Sequence, residues 1–176
     1  PDYFALQPDG TRSGYSRPHR AKLCQTNPKV WDQWVADVAE ELDKNPHATI
    51  FNAAPNDSAG TGVCVCEKCR SWDQPEAAPY TYYYEDGKKD YVAMSDRYCE
   101  FTNRLARKLK ERFPNRNLKA WQMAYHCCMW PPLKAKLDDN VILSFVGNFP
   151  LTDEADREEQ KRRMAGWRDI APEMVY

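Results

Sequence analysis

The sequence predicts an α/β fold with a mainly parallel sheet, assembled from several units of the kind that make a (β/α)₈ barrel. Three observations predict it. Amphipathic helical segments alternate with short apolar runs of strand length, an order that imposes parallel pairing. The helices are bounded by capping residues and by prolines. Residues of unusual chemistry fall where strands finish, at Asn56-Asp57, Tyr125-His126 and Asn148, and sites in open α/β sheets and barrels form at strand ends.

Tyr3 to Leu6, followed by Pro8-Asp9-Gly10, reads as a short strand running into a turn, with Gly10 at the positive-φ position. The basic, polar stretch 11–22 is a loop or the return strand of a hairpin. Asn27 then caps a helix with Pro28 at its first position. Trp31, Trp34, Val35, Val38, Ala39 and Leu42 recur behind it at helical spacing, and Asn45-Pro46 stops it. Ala48 to Ala54 is a strand closed by Pro55. After a small-residue loop, a cysteine cluster and a tyrosine-rich hairpin, Ser95 or Asp96 caps a second helix striped by Tyr98, Phe101, Leu105 and Leu109. Its basic back, from Arg104 to Arg112, reads as a solvated face. Strands follow at 118–125 and 141–146, then a charged helix over 152–169 and the start of a strand at Met174.

The chain has 176 residues and, at 25 basic against 26 acidic side chains, a net charge of −1. Leu, Ile, Val and Phe total 28, below the ~20% at which foldability comes into question. Tyr 10, Trp 6 and Cys 7 take their place. Near-neutrality, with no basic stripe, argues against a nucleic-acid binder. No apolar run approaches the ~20 residues of a membrane span. A closed barrel needs about 250 residues. The whole chain, residues 1–176, therefore reads as one α/β domain, cut from a precursor and a piece of something larger.

Cys64, Cys66 and Cys69 place three soft ligands within six residues. Tetrahedral zinc takes four, and Cys24 is the nearest fourth in sequence, with His126, Cys127 and Cys128 as alternatives. Buried free thiols or one disulfide fit the same spacing, although an odd cysteine count defeats a complete disulfide framework. Asn56-Asp57 offers a carboxylate for acid chemistry beside an amide that holds a substrate oxygen; an Asx-turn fits equally. Tyr83 and its neighbours form either a stacking surface for sugars or cross-strand pairs about an Asp86-Gly87 turn. Trp121 and Tyr125 share a strand face. His126 closes that strand, where a histidine satisfied by its surroundings is the commoner outcome.

The opening through Phe4-Ala5-Leu6, the stretch Leu23 to Pro28, the block Ala54 to Cys69, Ser95 to Asn103 and Asp139 to Leu143 together resemble a bacterial family known as domain of unknown function 4838. That family is similar to glycoside hydrolase family 163, endo-β-N-acetylglucosaminidases of N-glycans with a (β/α)₈ catalytic module. The resemblance implies that residues 1–176 are a fragment of a larger (β/α)₈ catalytic domain, completed by the remainder of the parent polypeptide, with a carbohydrate or glycoprotein glycan as partner and a secreted, periplasmic or cell-surface location. It also implies hydrolysis assisted by the substrate's own 2-acetamido group, an exception to the two-carboxylate scheme. On it, Asp57 is the acid or acetamido orienter and Asn56 its binding neighbour. Trp121, Tyr125, His126, Asn148 and Tyr83 line the sugar site, with a structural zinc on Cys24, Cys64, Cys66 and Cys69 beside it. No Glu follows the 48–54 strand closely, which departs from the usual acid pair. The alternative is a non-catalytic carbohydrate-binding or zinc-stabilised interaction module.

Overall fold

Asn27 accepts a hydrogen bond from the Lys29 amide at 3.0 Å, so the first helix, α1 (Pro28–Lys44), starts at the predicted cap. Its inward stripe of Val30, Val38 and Leu42 is buried. β1 (Ile50–Asn52) follows, then the one-turn helix α2 (Glu67–Arg70) and a hairpin of β2 (Pro79–Tyr84) and β3 (Gly87–Val92). α3 (Ser95–Arg112) leads to β4 (Lys119–Ala124), β5 (Val141–Phe145), α4 (Glu154–Arg168) and β6 (Glu173–Val175). The computed structural model describes residues 2–12, 21–55, 62–84, 86–147 and 153–175. Three of the sequence-predicted site residues, Asn56, Asp57 and Asn148, lie outside them.

Four strands form one parallel sheet in the order β1-β4-β5-β6, and the hairpin stands apart from it. Strand alternation sends Phe51, Ala120, Ala124, Val141, Leu143 and Phe145 to one face, where they are buried with residues of α1, α3 and α4. The fold is thus a mixed α/β arrangement with helices on that face and no closed barrel among the described residues. α3 is the central helix: Leu105, Ala106 and Leu109 are fully buried against the sheet.

The connection from β4 to β5 has no α-helix. A short 3₁₀ turn (His126–Cys128) passes into an extended loop, since Pro131-Pro132 cannot donate backbone bonds. α3 holds that loop with polar side chains. Asp96 accepts from the amides of Leu133, Lys134 and Ala135, each at 2.8 Å. Asn103 accepts from Asp138 N at 2.9 Å, and Asn140 donates to the Ala106 carbonyl at 2.8 Å.

Three expectations are corrected. Neither Ser95 nor Asp96 caps α3: Met94 occupies that position without a side-chain bond, Ser95 donates to the Trp130 carbonyl, and Asp96 serves the loop. In the hairpin Gly87 is not a turn residue but pairs with Tyr84 and opens β3. The basic back of α3 is solvated as expected at Arg107, Lys110 and Arg112, but not at Arg104. Arg107 pairs with Asp138 at 2.7 Å, Lys108 with Asp32 at 2.6 Å and Lys110 with Asp139, while Arg104 lies over the rings of Trp31 and Trp72.

Candidate metal centre and strand-end site

The strongest site is built by three separate pieces of chain. An antiparallel bridge between Phe4 and Leu23 presents Cys24. The segment leaving β1 returns at Gly62 and supplies Cys64 and Cys66, and the first turn of α2 supplies Cys69. Gly62 is required at its position: at φ +58° a Cβ there would meet the Tyr84 ring at 2.0 Å, and that ring's hydroxyl donates to the Val63 carbonyl at 3.2 Å.

The four ligand sulfurs lie within 4.8 Å of one another, and Cys24 Sγ is 3.8 Å from Cys66 Sγ and 3.7 Å from Cys69 Sγ. A regular tetrahedral thiolate site has sulfur–sulfur edges of about 3.8 Å, given metal–sulfur bonds of ~2.3 Å. The cluster is therefore at metal-binding distance. Cys24, Cys64 and Cys69 are buried, Cys66 is half-buried, and all seven cysteines of the chain are free thiols. Backbone amides point at the sulfurs: Leu6 N donates to Cys64 at 3.2 Å and Cys69 N to Cys66 at 3.4 Å. Such N–H···S bonds stabilise thiolate, the form that ligates.

The electrostatics agree. Hydrogen bonds from Cys64 and Cys69 hold the Cys24 thiol far below the ordinary range. By holding the proton it donates to Cys24, Cys64 is pushed up to about 11, and Cys69 is raised well above that range for the same reason. The Arg12 guanidinium lies beside Cys24 and favours its negative charge.

A second layer fastens the cluster to α3. Arg97, fully buried, donates to Asp73 Oδ1 at 2.6 Å and to its Oδ2, and to the Cys64 carbonyl at 2.7 Å. Gln25 donates to Tyr98 Oη at 3.0 Å and accepts from Cys69 Sγ at 3.6 Å. Thr26 Oγ1 stands 3.3 Å from Cys69 Sγ. Gln25 and Thr26 flank Cys24 in sequence, but nothing in the spacing of Asp73 and Arg97 links them to the cysteines.

The other predicted residues are more dispersed. Trp121 is half-buried on the sheet face turned away from the helices. Tyr125 extends β4, and its ring lies 3.9 Å, centroid to centroid, from that of His126. His126 has φ +48°, an uncommon conformation for a non-glycine residue. Tyr83 is exposed on the outer face of the hairpin under Lys88, opposite Tyr80, Tyr82 and Tyr84. The tyrosine run read from the sequence includes Tyr80, but nothing in the sequence singles out Trp130. Tyr80 packs edge-on to Trp130 at 6.1 Å and lies within electrostatic reach of Tyr125, joining the hairpin to the end of β4. Burial pushes the Tyr80 phenol up to about 12, so it remains a neutral donor at ordinary pH.

Among the described residues no helix is long and apolar enough to cross a membrane. No curated protein and no solved structure shows significant similarity to the chain. One family profile matches, over residues 1–176, described as Domain of unknown function (DUF4838). The chain belongs to that family.

Proposed function

We propose that the chain carries the strand-end loops of a glycoside hydrolase-type domain acting on N-acetylglucosamine-containing glycans, with a structural zinc ion on Cys24, Cys64, Cys66 and Cys69. The observation that carries the reading is the position of the cysteine cluster. Residues 56–61 link Pro55, just past β1, to Gly62, two residues before Cys64. The segment bearing Asn56 and Asp57 thus has a β-strand at one end and the four-cysteine cluster at the other.

The donor set suits zinc: four sulfurs, tetrahedral spacing, burial and amide donors. With four protein ligands the ion has no open position, so its role is to fix the loop. The chemistry belongs to Asp57, Asn56 and the substrate. The acetamido oxygen attacks the anomeric carbon as the glycosidic bond breaks, and the departing oxygen takes a proton from an acid. Asp57 serves as that acid or orients the acetamido group, and Asn56 binds beside it. Trp121 in β4, Tyr125 just past its end and Tyr80 on the neighbouring hairpin are aromatic residues suited to the C–H faces of a sugar.

The test is an assay of the full parent polypeptide on aryl N-acetylglucosaminides and N-glycoproteins. Release of the aryl group or glycan is expected, reduced at least ~100-fold by Asp57→Asn, the range for loss of an acid–base group. Unchanged activity in that variant overturns the assignment. Glycan binding without hydrolysis in the parent replaces it with the non-catalytic alternative.

A further inference from the structure

The four parallel strands are added in chain order, each beside the last, with no reversal. Doubly wound sheets reverse their order at a switch point and so place helices on both faces. Here α1, α3 and α4 all pack against one face. The other face carries Ile50, Trp121, Met123, Ile142 and Val175, and although Ile142 at its centre is buried, Ile50 is 52% and Val175 42% exposed. Parallel sheets are almost always covered on both faces.

The outer edge of β1 is equally open. Thr49 O accepts from Lys119 N and Ala53 N donates to Trp121 O, so the backbone groups of Ile50 and Asn52 point away from β4. Among the described residues no strand pairs with that edge. Instead, the Trp34 indole N–H of α1 donates to the outward Asn52 carbonyl at 2.8 Å. Between α1 and β1 lies a cleft of about 770 Å³, lined by Val30, Trp34, Asn52, Phe101 and Leu105 among others. α1 packs chiefly on α3 and enters β1 through a short loop. In a β-α-β unit the helix lies over both of its strands, and the place of the first strand here is this cleft.

The geometry points to the cleft as the seat of a further β-strand of the same polypeptide, upstream of Tyr3, pairing parallel with the outer edge of β1. Its alternate side chains meet Val30, Phe101 and Leu105 on one side and extend the second sheet face, beside Ile50, on the other. The Trp34 indole holds the Asn52 carbonyl that the incoming strand's amide takes over. This inference rests on topology and is independent of the hydrolase reading.

Amide hydrogen exchange on the full parent polypeptide tests it with an internal reference. Phe51 and Ala53 point inward to β4, and Ile50 and Asn52 point outward. Protection of the outward amides within about tenfold of the inward pair, unchanged on dilution, is the expected result. Outward amides that exchange at unprotected rates while the inward pair is protected overturn it. Protection lost on dilution also overturns it, in favour of a second copy.

Discussion

The chain holds two groups of cysteines, and only one of them brings four sulfurs together. Cys24, Cys64, Cys66 and Cys69 come from distant parts of the sequence and converge with amide donors aimed at their sulfurs. Cys99, Cys127 and Cys128 are also largely buried, yet Cys127 and Cys128 are neighbours only because they are adjacent in the chain, 3.8 Å apart at sulfur. Burial raises Cys99 and Cys128 well above the ordinary thiol range, so they behave as small apolar side chains. Convergence and donated hydrogen bonds, rather than cysteine content, distinguish a metal centre from packing.

The largest expected effect separates these groups directly. Cys69→Ala removes one of four ligands from a centre whose metal-binding free energy is of order 10 kcal/mol. It should abolish metal retention and lower the melting temperature more than any other change discussed here. Cys99→Ala, by contrast, should cost about 1 kcal/mol, the range for deleting one buried heavy atom. Metal content and thermal melts of the two variants, side by side, check the contrast. Equal effects would erase it.

The next effect lies in the layer behind the cluster. Asp73→Asn leaves the Arg97 guanidinium buried with its charge unpaired, which costs about 3–5 kcal/mol in comparable sites. The loss should appear in denaturant titration with metal bound. Asp96→Ala, at the residue just before Arg97 in α3, strands three loop amides and should cost about 1–3 kcal/mol. It should leave metal binding intact, because Asp96 serves the loop before β5 and not the cysteines. Metal loss in this variant would mean that the two regions are coupled.

The smallest and most graded effect is that of pH. In the metal-free chain Cys64, pushed up to about 11, and Cys69, raised further, are protonated at neutral pH. Metal binding must displace those protons, so the free state binds more protons than the loaded one and affinity rises with pH. Competition with a chelator of known affinity at pH 6, 7 and 8 should show progressively tighter retention. A flat profile would mean that the thiols are not the ligands.

Much of the fold is legible in the residues. Asn27-Pro28 and the Val38, Leu42 spacing define α1 because caps and periodicity are local signals. Asp96 misled because the same carboxylate that caps a helix also binds three amides of a loop 37 to 39 residues away, and pairing at that range leaves no mark in sequence. For the same reason Arg97 and Asp73 went unnoticed as the support of the cysteine cluster. Cys24 was legible as the fourth thiol of the cluster because thiols are scarce enough to count. The hairpin was readable from its tyrosines, but which tyrosines face inward depends on register, and Gly87 moved it by one residue.

The account rests most directly on whether four thiols hold a metal. The deciding measurement is elemental analysis of protein purified without chelators, paired with the absorption spectrum after cobalt substitution. One zinc per chain, and a cobalt spectrum with the thiolate charge-transfer and tetrahedral d–d bands of a four-sulfur site, is the predicted result. A folded, metal-free chain that takes up no cobalt would contradict it.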